Sequence, residues 1–209
     1  FDPFEPQSRV IREIESQERE ELPVRIIALK ARQMGISTVS QAVLFHKIVF
    51  GSNLNSLTIA HDSVATEHIF TMARIFYDQL EAVIKPPRKI SRRREMVLGV
   101  EDDKRGKRTR FNQPVTHDSG SRLSIQTAGH KGSGVAQTLH LLHCSELGRW
   151  ENAEEMLPNI MPAVPDLPGT YVIKESTGEE ATMFFYKDWK LSVAGESGYA
   201  AIFLPWFIH

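Results

Sequence analysis

Residues 24–29, Val-Arg-Ile-Ile-Ala-Leu, form an almost unbroken apolar run directly after Pro23. A strand this apolar has to be covered on both faces, which places it inside a parallel sheet rather than on a half-solvated one. The rest of the chain keeps the same alternation. Residues 9–20 read as a polar helix with Val10, Ile11 and Ile14 on one side, and residues 38–50 as a helix stopped by Gly51. Residues 56–60 read as a strand. Residues 63–85 read as a helix on Ile69, Ala73, Phe76, Leu80 and Val83, ended by Pro86-Pro87. Strands follow at 122–127 and 138–143, then a helix at 153–161 with Asn152 as its candidate cap. A strand at 170–174, a helix at 181–191 and a strand at 199–204 complete the series. Strands alternating with helices predict one α/β domain, a mainly parallel sheet with helices on both faces. The 209 residues are enough for one sizeable core.

Composition narrows the function classes. With 41% apolar residues and a net charge of −1, the chain is neither disordered throughout nor generally basic. Its one cysteine, Cys144, excludes an internal disulfide framework and a multi-cysteine zinc site, and suits a reducing compartment. No run approaches the 18 or so apolar residues of a membrane-spanning helix. A start at Phe1 and an end at His209, just after an apolar stretch, read as a piece of a longer protein.

The first strand leads into Lys30-Ala31-Arg32-Gln33-Met34-Gly35-Ile36-Ser37-Thr38 and then a helix. Strand, tight loop and helix are the setting of a phosphate-binding loop, because loop N–H groups and the helix N-terminus present positive potential to a polyphosphate. Against G-x-x-x-x-G-K-[ST], Gly35 and Ser37 match. Ile36 stands at the usual lysine position and Lys30 at the first glycine position. Lys30 could reach β- and γ-phosphates from the front of the loop, and Ser37 could offer a hydroxyl to Mg2+. The bland alternative is an ordinary strand–turn–helix with Gly35 making the turn.

Further on, an apolar strand ends in Ser145-Glu146. In P-loop ATPases of the additional-strand type (ASCE, RecA-like), a strand ends in Asp-Glu. The Asp holds a Mg2+-bound water and the Glu polarises the attacking water. Here Ser145 stands for the Asp, and Glu146 keeps the catalytic place. A second strand ends in Ser176-Thr177-Gly178, small hydroxyl residues that can sense a γ-phosphate, or simply turn the chain.

In this order the "Arg-Gln-x-Gly-x-Ser-Thr" loop, the "Ser-Glu-x-x-x-Trp" element ending at Trp150 and the Glu-Ser-Thr-Gly178 segment resemble the ATPase domain of the large terminase subunit of tailed double-stranded DNA bacteriophages. The resemblance spans nearly the whole chain. It implies an ATP- and Mg2+-dependent motor that drives double-stranded DNA into a procapsid in the host cell cytoplasm. Its implied partners are a portal protein, a small terminase subunit and further copies of itself in a homo-oligomeric ring. It implies that Gln7 reads adenine, that Lys30, Ala31, Arg32, Gln33, Met34, Gly35, Ile36, Ser37 and Thr38 form the Walker A loop, that Glu146 activates water and that Ser176 and Thr177 couple hydrolysis to movement. A C-terminal nuclease domain is expected beyond residue 209, so residues 1–209 carry the ATPase alone. A helicase-like ATPase and a non-hydrolysing structural subunit with a decayed loop remain open.

Eleven of the 25 Lys and Arg residues fall between Lys85 and Arg110. Arg92, Arg93 and Arg94 are candidates for phosphate contacts on DNA, or form a solvated loop after Pro86-Pro87. Arg110, Arg122 and Arg149 are candidates for an arginine reaching a neighbour's γ-phosphate. His140 and His143 lack metal-ligand spacing. Cys144 reads as a buried small residue, and Trp150 and Trp206 as packing anchors.

Overall fold

Successive side chains of a strand point to opposite faces, and the central strands here are apolar on both. In β1 (Val24–Lys30), Val24, Ile26 and Ala28 enter one apolar cluster while Ile27 enters another. β7 (Tyr171–Thr177) divides likewise, Tyr171 and Ile173 against Val172. Helices cover both faces. α1 (Glu5–Arg19), α2 (Ile36–Phe50) and α3 (Ser63–Gln79) bury the first cluster. A 3-10 turn (Leu147–Arg149), α4 (Ala153–Ile160) and α5 (Phe184–Val193) bury the second.

This is a computed structural model, and it describes residues 2–92, 94–99, 119–129, 137–178 and 184–208. The remaining strands are β2 (Asn55–Ala60), β3 (Arg88–Arg92), β4 (Glu95–Leu98), β5 (Arg122–Thr127), β6 (Leu141–Ser145) and β8 (Ala200–Leu204). Among the described residues one sheet runs β3-β4-β5-β2-β6-β7-β1-β8. From β5 to β8 all pairings are parallel, and β3 and β4 join antiparallel. The chain leaves β1 through α2 and enters β2, passing over β7 and β6. β7 is therefore interposed between the loop-bearing β1 and the Ser-Glu strand β6. This mostly parallel sheet, with a strand so inserted, is the additional-strand P-loop architecture. The carboxyl ends of β1, β6 and β7 meet at one edge, where open α/β sheets bind ligands.

Several elements differ from expectation: α1 starts at Glu5, β6 spans Leu141–Ser145, and Asn152 makes no side-chain cap hydrogen bond at the start of α4 among the described residues. α3 ends at Gln79, because Leu80 turns to extended backbone (ψ 136°) well before Pro86. Of the basic segment, Arg88–Arg92 and Glu95–Leu98 pair as the β3–β4 hairpin, anchored by Met96 and Leu98 with no exposed surface, while residues 100–110 lie outside the described residues. β7 continues past Lys174 through Glu175, Ser176 and Thr177, all buried. Among the described residues, no helix is long and apolar enough to cross a membrane.

Candidate active site

β1 delivers Lys30 to the sheet edge, and the Ala31 N–H then donates to Leu204 O (2.9 Å), holding the loop to β8. Gln33 (φ 61°) and Gly35 (φ 64°) reverse the chain in left-handed conformations. At Gly35 the need for glycine is double. A Cβ there would also sit 2.5 Å from Gln7 Nε2 and 3.0 Å from Phe4 Cζ. The N-terminal turn of α1 thus lies against the loop, and Gln7 Nε2 donates to Gly35 O (3.1 Å). Gln7 is buried, and its Oε1 has no hydrogen-bond partner among the described residues. No side chain caps α2 among the described residues, so its first N–H groups keep their positive end for a ligand.

The loop side chains separate sharply. Met34 and Ile36 are 1% exposed and belong to the core, so they can serve a ligand only through the main chain. That accounts for the displaced lysine, since a side chain at position 36 points into apolar packing. Arg32 and Gln33 are exposed. Thr38 Oγ1 faces Met72 Sδ at 3.6 Å, toward α3. Ser37 turns to the sheet edge.

There the charges gather. Lys30 Nζ lies 2.5 Å from Glu146 Oε1 and 3.1 Å from Glu175 Oε2. Glu146 Oε2 accepts from the Thr177 N–H and hydroxyl, both at 3.1 Å. Glu175 has no exposed surface. Its Oε1 accepts from Ser37 Oγ (2.7 Å) and Ser145 Oγ (2.9 Å) and faces His143 Nε2 at 3.5 Å. Behind it, Gln41 Nε2 donates to His143 Nδ1 (2.9 Å) and to Thr58 Oγ1 (2.8 Å). Burial pushes the Glu175 carboxyl up, but His143, the Lys30 charge and Ser37 outweigh it and hold it at about 2. Burial likewise pulls Lys30 down, and the charges of Glu175 and Glu146 raise it above its ordinary value. One ammonium therefore stands between two carboxylates.

The backbone aims these groups. Glu146 adopts a left-handed conformation (φ 50°) where β6 ends and the 3-10 turn begins. The Gly148 N–H donates to Ser176 Oγ (3.1 Å), and Trp150 Nε1 donates to Ser145 O (3.0 Å). These bonds fasten the turn after Glu146 to β7 and β6.

The structure thus brings Gln7, Lys30, Gly35, Ser37, Glu146, Ser176 and Thr177 to one edge, and turns the side chains of Met34, Ile36 and Thr38 away from it. Lys30 and Ser37 suit phosphate, and the carboxylates suit a metal or a water. Arg149 sits in the turn beside the site, while Arg122 pairs with Glu95 (3.3 Å) at the amino end of β5, far from it. Arg94 reaches Glu67 on α3 (3.0 Å) and tethers the hairpin to the body. Arg92 ends β3, and Arg93 and Arg110 lie outside the described residues. His140 Nδ1 accepts from the Asn55 N–H (3.1 Å). Cys144 is fully buried, and burial lifts its thiol to about 12. Trp150 packs as expected, but Trp206 does not, being 77% exposed.

The residues that sequence reasoning missed are Glu175, His143 and Gln41. One signal was present: Lys174-Glu175, two charges directly after the apolar Tyr171-Val172-Ile173 of the same strand.

No protein-family model matches the chain, and no curated protein sequence matches it. Solved structures do. The large terminase of bacteriophage HK97 superposes with a TM-score of 0.67 at 12% identity, covering 99% of this chain and 39% of that one. The large terminase ATPase domain of Thermus phage P74-26 gives 0.64 at 14%, covering 98% and 81%. A large terminase from a thermophilic bacteriophage, in complex with ADP, gives 0.64 at 10%, covering 97% and 45%. The chain spans less than half the length of the whole large terminases it matches. Across nearly its entire length, the chain has the fold of large terminase ATPase domains.

Proposed function

We propose that this chain is the ATP-hydrolysing motor domain of a DNA-packaging terminase. The observation that carries the reading is the contact between Lys30 and Glu146, 116 residues apart in sequence and 2.5 Å apart in space, at the mouth of a glycine-turned loop. A phosphate held by the N–H groups of α2 would lie where the Lys30 ammonium can reach it. The Ser37 hydroxyl fits Mg2+, a hard cation that takes oxygen ligands, and the metal would neutralise phosphate charge. Glu146, released from Lys30 and still bonded to Thr177, would orient the attacking water. Gln7, with a buried Oε1 that has no partner among the described residues, would accept from an exocyclic amine. Thr177 gives Glu146 a direct mechanical link to β7. A neighbouring copy's arginine would complete the charge complement in a ring. The nuclease of a packaging enzyme would lie on another domain, and this chain alone should not cleave DNA.

The test is Glu146→Gln in the assembled ring with DNA. Nucleotide affinity should persist while phosphate release is lost. Undiminished turnover removes Glu146 from its role. A wild-type ring that binds ATP and never releases phosphate would be a structural subunit instead.

A further inference from the structure

We propose that Glu175 is the metal-side carboxylate of this site, supplied by β7 in place of the acid that β6 lacks at Ser145. The proposal rests on the nucleotide-binding reading of the loop and deepens it. Ser145 has a hydroxyl but no charge, so it cannot by itself hold a divalent cation firmly. Ser145 and Glu175 are register partners on parallel strands, and neighbouring strands lie about 4.8 Å apart. A glutamate has one methylene more than an aspartate, and it can therefore reach across that spacing. It does so here. Glu175 Oε1 lies 2.9 Å from Ser145 Oγ and 2.7 Å from Ser37 Oγ, the hydroxyl that fits Mg2+.

The other oxygen is held less firmly. Glu175 Oε2 has Lys30 Nζ at 3.1 Å but no aligned hydrogen bond among the described residues, although it is fully buried. A desolvated carboxylate needs compensating positive charge. Lys30 provides it now, and Lys30 is also the group a phosphate would attract. Once the ammonium turns to phosphate, Glu175 faces the Ser37 hydroxyl with no cation of its own. A divalent ion, held by Glu175 and Ser37, would restore the balance. His143, held by Gln41, stands behind the carboxylate with its Nε2 3.5 Å from Glu175 Oε1.

The experiment measures ATP affinity of the chain by calorimetry, once in Mg2+ and once in EDTA. Mn2+ retained on the nucleotide complex is followed by electron paramagnetic resonance. The wild type should bind ATP more tightly with Mg2+. Glu175→Gln should lose the Mg2+ increment, with Mn2+ affinity falling about 10- to 100-fold. Ser145→Asp combined with Glu175→Gln should recover part of the increment, which a merely structural role would not produce. An undiminished increment in folded Glu175→Gln overturns the proposal and leaves the nucleotide-binding reading standing. If Glu175→Gln does not fold, Glu175→Asp decides. Its carboxylate is drawn back by one methylene, so an unchanged increment again overturns the assignment. A wild-type chain that binds no ATP in either condition overturns the nucleotide-binding reading and this assignment with it.

Discussion

Two lysines on neighbouring strands, Lys30 and Lys174, have side chains equally buried at 6% exposure, yet they sit in opposite kinds of surroundings. Lys174 points to the α5 face. It meets one carboxylate, Asp188 at 2.8 Å, and lies 3.7 Å from the centre of the Tyr199 ring. Charge is matched there, and an aromatic face covers it. Lys30 points to the α2 face and meets two carboxylates at the open end of the strands. Burial alone does not separate these lysines. The number of anions per cation does. A matched pair closes on itself, whereas a mismatched trio holds its geometry and leaves room for another cation.

The largest expected effect breaks the trio and spares the pair. Glu146→Gln should lower phosphate release by about 10^2- to 10^4-fold, the usual contribution of a positioned base, while Asp188→Asn leaves it within about twofold. Steady-state phosphate assays on the assembled ring compare the two. Next come the lysines themselves. Lys30→Ala and Lys174→Ala each leave a buried carboxylate without its cation and should cost about 3–5 kcal/mol in urea unfolding. Only Lys30→Ala should also lose nucleotide binding in calorimetry. Replacing the matched pair together, Lys174→Met with Asp188→Leu, should return stability to within about 1 kcal/mol of wild type.

A smaller effect follows from pH. Glu175 is held at about 2, below the ordinary carboxylate value of 4.5, so its stabilisation is complete above pH 4.5 and is lost as pH falls toward 2. Glu175→Gln should flatten that acid limb in unfolding curves. Lys30 and Lys174 are both raised above 10.5, so their stabilisation is complete below that pH and fades only above it. Acid therefore weakens the trio through Glu175, whereas alkali weakens both regions. The smallest effect is chemical. Cys144, with its thiol raised to about 12, should resist a thiol reagent in the native state and react at the rate of unfolding.

Most of the architecture was legible because the central strands are apolar on both faces and the helices show their period. Lys30, Ser37 and Glu146 were legible because strand ends and a glycine turn mark the edge where ligands bind. The β3–β4 hairpin was hidden by its charges. Its burial falls on Met96 and Leu98, and nothing in Arg92, Arg93 and Arg94 signals a strand. The end of α3 was hidden because Leu80 keeps the apolar period while its backbone has already left the helix. Glu175 was hidden for a deeper reason. Its role depends on which strand lies beside β6, and the placement of β7 there is a fact of topology rather than of local sequence.

The left-handed backbone at Glu146 has an evolutionary consequence. Such a conformation costs a residue other than glycine about 1–2 kcal/mol. Glycine at that position would relieve the strain, but it would also take away the oxygen that accepts from the Thr177 N–H and hydroxyl and the nearer anionic partner of Lys30. A sequence that keeps glutamate there accepts the backbone cost for the sake of those contacts.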